Sequence, residues 1–196
     1  MTPVATGRPG RPAAATREDA IGLAGERFLA GERVDVRGIA LELGLARATM
    51  HRWFGTREAF LGEVLAALAE ERLAAIRNDT PGAGAPALLA CFDRFNRELA
   101  ATDGLRALLA SEQERALRVL TSSGGVVQPR VVAAVERLIL AEIDAGTFAP
   151  AVAPGSLAYA IVRLAESFLY NDAIIGIRGD TDRLREVEAV LLGVSH

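Results

Sequence analysis

Apolar residues recur along most of this chain at the three- and four-residue spacing of helices, with glycine or proline at the breaks. Thr16, with Asp19 three residues on, has the pattern of a capping box that opens a first helix. Ile21, Ala24 and Phe28 give that helix a buried face, and Gly31 ends it. Asp35 is placed to cap a second helix, in which Val36, Ile39, Ala40 and Leu43 share one face. Gly44 supplies the positive φ that turns the chain, and a third short helix runs from about Arg47 to Phe54. A long fourth helix follows from Arg57 to about Arg77; Phe60, Val64, Leu65 and Leu68 form its apolar stripe, while Glu70, Glu71 and Arg72 stay wet. A breaker cluster over residues 78–86 ends it.

Leu88, Phe92, Phe95 and Leu99 mark the next helix. Residues 103–121 read as one or two helices split near Ser111, and 122–125 as a loop. Val131, Val132, Val135, Leu138, Ile139 and Ile143 mark a further helix closed by Gly146. Residues 150–154 lead into a strongly apolar helix over 157–175, broken by Gly176 and Gly179, and residues 181–192 form the last one. There is no convincing strand pair and no internal repeat. The pattern predicts an all-α chain.

Two short helices around a tight glycine turn are the layout of a helix-turn-helix, whose second helix enters the DNA major groove. Over residues 16–60 the chain resembles the DNA-binding domain of the TetR family of bacterial transcriptional regulators. Ile39-Ala40 matches the family's Ile-Ala pair, and Gly44-Leu45-Ala46-Arg47-Ala48-Thr49-Met50-His51-Arg52-Trp53-Phe54 matches its turn and recognition helix. Thr56-Arg57-Glu58-Ala59-Phe60 matches the start of its fourth helix. Three departures bear on DNA contacts. Ala46 replaces the usual serine cap, which removes an acceptor worth ~1 kcal/mol. Ala48 replaces a glycine that allows close approach to DNA, and His51 replaces a phosphate-binding tyrosine.

The resemblance implies an all-α homodimer of two-domain subunits: residues 1–15 a flexible basic arm, 16–60 the helix-turn-helix domain, and 61–196 a ligand-binding and dimerisation domain. It implies a repressor that a small apolar effector releases from a palindromic double-stranded DNA operator. Candidate DNA-binding residues are Arg37, Arg47, Ala48, Thr49, His51, Arg52, Trp53, Thr56 and Arg57. Arg47, Thr49 and Arg52 are expected to touch base edges or nearby phosphates, His51 and Trp53 the backbone, and Arg57 a phosphate. Trp53 has an alternative fate as a ring closing the small core, while Met50 and Phe54 pack inward.

Composition supports a basic end and an acidic body. The net charge is −3, and every one of the 22 basic residues is Arg. Residues 1–60 hold nine Arg against seven acids, and the remainder thirteen against eighteen, which gives +2 and −5. Gly7-Arg8-Pro9-Gly10-Arg11-Pro12 is a short basic arm, able to lie in a minor groove or to act as a solvated tail. No apolar run approaches ~20 residues, so no membrane span is expected. The first twelve residues lack a signal peptide's apolar core, and a cytoplasmic protein is expected. Cys91 is the only cysteine, so no intrachain disulfide forms; it reads as a small buried hydrophobe.

No catalytic constellation, metal-ligand cluster or cofactor-binding loop stands out, so neither an enzyme nor a cofactor is expected. The competing reading is an all-α small-molecule carrier or enzyme with an incidental helix-turn-helix. In the helix over 157–175, Leu157, Ile161, Leu164, Phe168 and Ile175 share one face. Tyr159, Arg163, Glu166 and Tyr170 lie nearly opposite. Such a polar-aromatic stripe serves a solvated surface, a dimer contact or the wall of a ligand pocket. The apolar stripe of this helix, with Leu184, Val187 and Leu191 on the last one, is shared between dimer and core. The expected pocket is lined by Phe92, Phe95, Val135, Ile139, Tyr159 and Val162, with Arg163, Glu166 and Tyr170 as polar contacts unless Arg163 and Glu166 simply pair. Arg163, Glu166-Ser167-Phe168, Tyr170, Asp172, Ile174 and Gly176 also resemble the regulatory domain of TetR-family regulators linked to quorum-signal lactone degradation. That resemblance implies a lactone with an apolar tail, or a related apolar acid, as effector.

Overall fold

The computed structural model describes residues 15–171 and 180–194, and these are helical throughout, with no strand among them. Three short helices come first: α1 (Arg17–Leu29), α2 (Val36–Glu42) and α3 (Arg47–Phe54). Their ends follow from local chemistry. The Thr16 hydroxyl accepts from the Asp19 amide while the Asp19 carboxylate accepts from the Thr16 amide, closing the capping box. Asp35 accepts from the amides of Arg37 and Gly38 and so caps α2. Gly44, at φ +64°, turns the chain into α3. No side chain caps α3, as expected with alanine at position 46.

α4 (Arg57–Asp79) runs 23 residues, about 34 Å at 1.5 Å per residue. It begins in the first bundle and ends deep in the second, so the boundary expected between residues 60 and 61 falls inside a continuous helix. α5 (Gly84–Ala101) starts within the expected breaker cluster, two residues before Pro86. α6 (Asp103–Ser111) and α7 (Gln113–Thr121) meet at Glu112, and α8 (Val127–Asp144) ends at Gly146. α9 is shorter than expected, Pro154–Glu166, because the chain widens into a π-helical turn over Ser167–Asn171. Ile175, Gly176 and Gly179 lie outside the described residues. α10 (Thr181–Leu192) closes the fold on Gly193, whose φ is +70°.

Two apolar clusters form the core. The upper one joins Ala20, Ala24 and Phe28 of α1, Ile39 and Ala40 of α2, Met50 and Phe54 of α3 and the first half of α4 to Leu105, Leu109, Val119 and Leu120 of α6 and α7. The lower one joins the end of α4 to α5, α8, α9 and α10. Cys91 is buried in the lower cluster, where desolvation pushes its thiol up to about 11. None of the described helices is long and apolar enough to cross a membrane.

Candidate functional site

α3 presents its polar side outward. Arg47, Ala48, His51 and Arg52 are exposed and Thr49 is half-buried, while Met50 and Phe54 anchor the helix to the upper core. Arg37 on α2 is also exposed. Trp53 is half-buried and stands edge-on to Phe54, with ring centroids 6.1 Å apart, so its ring closes the small core. Arg17 lies over the Phe54 ring at 4.9 Å and pairs with Glu63 at 2.7 Å, tying α1 to α3 and α4.

Thr56 caps α4 through the Ala59 amide at 3.1 Å. Arg57, expected at a phosphate, has its guanidinium in a bidentate pair with Glu112, at 2.8 and 3.0 Å. Arg115 and Arg33 approach the same carboxylate at 2.8 and 3.2 Å. The Arg57 hydrogen bonds pull Glu112 down to about 2, with Arg115 and Arg33 adding to the effect. The corner between α6 and α7 is thereby fastened to the start of α4.

A cavity of about 670 Å³ opens below the first three helices. It is mostly apolar and reaches from Phe28 of α1, past α4, α5 and α8, to α9 and α10. Of the pocket residues expected from sequence, Phe92, Phe95, Val135, Val162, Glu166 and Tyr170 line it. Three do not. Ile139 lies one turn beyond Val135 and is fully buried in the lower core. Tyr159 is 50 % exposed on the outer face of α9. Arg163 also points outward, where it pairs with Glu166 at 2.6 Å and donates to the Thr121 carbonyl at the end of α7 at 3.2 Å.

The four-residue polar stripe is thus split in two. At 100° per residue Glu166 lies about 40° from buried Val162 and about 60° from Arg163, on the inner flank of the helix. The wider i→i+5 winding of the π turn then delays the rotation and carries Tyr170 inward beside Leu169. The apolar stripes also divide. Leu157, Ile161 and Leu184 are buried within the subunit, Leu164 and Phe168 are half-buried, and Val187, Val190 and Leu191 stand exposed on α10. Asp172, Ile174 and Gly176, like the basic arm at residues 7–12, lie outside the described residues.

The polar groups inside the cavity include three that the sequence reading missed: Asn96, Gln128 and Glu188. Gln128 stands three and seven residues before Val131 and Val135, so the stripe of α8 extended by one turn points to it. Asn96 donates to Glu188 Oε1 at 3.0 Å across 92 residues of sequence, a pairing that no local pattern announces. Glu188 Oε2 is buried with no hydrogen-bond partner among the described residues, while the buried Gln128 amide lies beside the Glu166 carboxyl. Burial raises both internal carboxyls to about 7; Arg163 and a hydrogen bond from the Gln128 amide restrain Glu166, and Asn96 restrains Glu188 while Asp93 raises it further. Burial and nearby Glu166 push the Tyr170 phenol up as well.

The raised Glu188 gives a prediction about pH. An unfolded glutamate loses its proton near 4.5, whereas Glu188 in the fold keeps it to about 7. The folded state therefore binds more protons in that window, and stability falls as pH rises through it. Glu188→Gln keeps the shape and removes the titration. Urea unfolding from pH 5 to 8 should show the variant gaining on the parent chain by up to about 3 kcal/mol and levelling above pH 7. A constant difference across that range rules out a buried proton at Glu188.

Among curated protein sequences none matches this chain significantly. A family model described as a tetracycline repressor-like C-terminal domain matches residues 83–193, more than half of the chain. Among solved structures, the transcriptional repressor QsdR of the TetR family from R. erythropolis is similar with a TM-score of 0.82 at 29 % identity, over 92 % of this chain and 95 % of that one. The transcriptional regulator FadR from Bacillus subtilis, solved in complex with stearoyl-CoA, is similar with a TM-score of 0.53 at 14 % identity, over 92 % and 100 %. The latter likeness concerns the fold alone.

Proposed function

Because this chain belongs to the TetR family of transcriptional regulators, we propose that it is a repressor released from a palindromic DNA operator by a small apolar effector. The observation that carries the reading is the shared wall between cavity and DNA-facing helices. Phe28 lines the cavity and belongs to the same buried cluster as Met50 and Phe54 of α3, while α4 passes along the cavity from the helix-turn-helix downward. A molecule filling the cavity presses on the elements that aim the recognition helix.

Arg47, Thr49 and Arg52 read bases or adjacent phosphates, with Ala48 setting how closely α3 approaches. His51 meets the backbone, and Trp53 keeps α3 seated on the core. Arg37 and the Thr56–Arg57 corner hold phosphates on either side. Two subunits pair through the outer faces of α9 and α10, where Val187, Val190 and Leu191 are 39, 73 and 37 % exposed. A two-fold dimer of this kind sets its recognition helices about one DNA turn, ~34 Å, apart or a multiple of it. The effector acts by population shift. It favours a state in which α4 holds the two α3 helices at the wrong spacing, and its leverage is its differential affinity for the two states, ~1–3 kcal/mol for typical coupling. The family of the lactone-linked regulators, suggested by the stretch from Arg163 onward, makes a lactone with an apolar tail the first effector to try. Titration of the upstream DNA of its own gene, with and without short- and long-tailed lactones, tests the reading. Lactone binding that leaves DNA affinity unchanged keeps the pocket and removes the switch.

The Arg57–Glu112 pair makes a separate expectation. Arg57 reaches a phosphate only by leaving Glu112. Arg57→Ala should weaken binding to all DNA sequences alike and lower the salt slope by about one. Glu112→Gln should strengthen binding to all sequences, because a neutral amide holds the guanidinium less firmly. Salt-dependent titrations of the two variants check this, and equal weakening by both shows that the pair positions α4 instead of competing with DNA.

A further inference from the structure

Five acids stand on the cavity wall among the described residues: Glu71, Glu98, Asp103, Glu166 and Glu188. Arg72 is the only base beside them. Most of these acids have a partner within the protein. Arg72 holds both oxygens of Glu98, Arg106 holds Asp103, and Arg163 holds Glu166, which also takes the Gln128 amide. Glu71 is exposed, so water serves it. Glu188 is different. It is 0 % exposed, Oε1 accepts from the Asn96 amide at 3.0 Å, and Oε2 has no partner among the described residues. Arg97 of α5 and Arg185 of α10 turn to Asp93 instead, at 2.9 and 3.7 Å.

A buried carboxylate without a positive partner is expensive, so the empty fold keeps the proton on Glu188 to about 7. The fold has desolvated this group before any ligand arrives. An ammonium placed at Oε2 supplies the missing charge and lets the carboxyl ionise, where their attraction is little screened. A carboxylate placed there meets a second carboxyl, with Asp93 behind it. A neutral head brings no charge at all. The rest of the wall is mostly hydrocarbon, from Leu65 and Leu68 on α4 to Val131 on α8 and Leu169 in the π turn, which suits an apolar tail.

We propose that the cavity takes an amine with an apolar tail, its ammonium paired with Glu188 Oε2 and its hydrocarbon against α4, α8 and the π turn. The proposal rests on the ligand-responsive reading above and narrows it: the apolar acid is turned away, and a neutral lactone binds less tightly than an amine of matching tail. The pairing is linked to protons. The bound ammonium keeps its proton, as an alkylamine does well above neutral pH, and the Glu188 proton leaves to solvent. Affinity therefore rises with pH up to about 7 and levels above it. Glu166 titrates in the same range, but Arg163 and Gln128 already hold it, and Tyr170, its phenol pushed up, stays protonated throughout.

The probes are octylamine, octanol and octanoate, alike in tail and positive, neutral and negative at the head. Calorimetry on the full chain at pH 8, where most Glu188 is ionised, should show octylamine binding about 10- to 100-fold more tightly than octanol, the reach of one hydrogen bond to a charged group. Octanoate should bind more weakly than octanol. At pH 6, in two buffers of unlike ionisation heat, octylamine should release about half a proton or more, and octanol none. Glu188→Gln keeps the shape of the wall. It should bring octylamine within about threefold of octanol and end the proton release. The octylamine-to-octanol ratio is the readout, so a variant that merely loosens the cavity does not mimic the result. Octylamine binding no tighter than octanol, a preference that survives Glu188→Gln, octanoate binding tighter than octanol, or binding of no probe each overturns the proposal. Titration of the upstream DNA decides the regulator reading independently.

Discussion

Gly104→Val is expected to lower the unfolding free energy by about 3 kcal/mol, at the upper end of what overpacking costs. Gly104 is the second residue of α6 and sits against the end of α1. A Cβ built there falls 2.0 Å from the Phe28 carbonyl oxygen and 3.1 Å from its ring. The obstacle is backbone at the close of a helix, so relief requires α6 and α1 to part. That joint is where the first three helices rest on the rest of the bundle, and Phe28 is at once core residue and cavity wall. Denaturant unfolding should therefore show the loss, and the half-buried Trp53 gives a fluorescence signal from the affected end of the molecule. A variant within about 0.5 kcal/mol of the parent, the range of ordinary surface changes, contradicts the close contact.

Arg47→Ala is expected to have a comparable effect on DNA and almost none on folding. Arg47 opens α3, is exposed, and takes no part in either core. A bidentate arginine–guanine contact carries about 1–3 kcal/mol of discrimination, and a two-fold dimer on a palindrome makes it twice, so on the order of 2–6 kcal/mol is at stake. The loss should be confined to one base position in each half-site. A panel of operators substituted at single positions distinguishes this from a phosphate contact, which weakens every sequence equally. Unchanged affinity across the panel moves the reading residues elsewhere on α3.

The parts of this architecture that sequence announces are those set by neighbours in the chain. Thr16, Asp35 and Thr56 cap their helices because an oxygen three residues before an amide has no better partner there. Gly44 ends α2 because only glycine enters that turn freely. The stripe Phe60, Val64, Leu65, Leu68 foretells α4 for the same local reason. The polar lining of the cavity is a different matter. Glu166 and Tyr170 share a stripe with Tyr159 and Arg163 only if the helix stays regular, and the π turn at Ser167–Asn171 breaks that premise. Asn96 meets Glu188, and Arg57 meets Glu112, across 92 and 55 residues. Periodicity says which face of a helix turns inward, but not which distant side chain waits there. Glu188 in particular reads as a surface charge on α10 until α5 and the cavity are in place.

A regulator of this kind couples its cavity to its recognition helices. The most direct test of that coupling is the affinity of the purified protein for the upstream DNA of its own gene, measured across salt concentrations with the cavity empty and with it saturated by a tight-binding lactone or amine. Binding to a roughly palindromic site should be strong and steeply salt-dependent when the cavity is empty, and should fall about 5- to 150-fold when it is filled, the range of ordinary allosteric coupling. Equal affinity in the two states, with the cavity demonstrably occupied, contradicts the coupling.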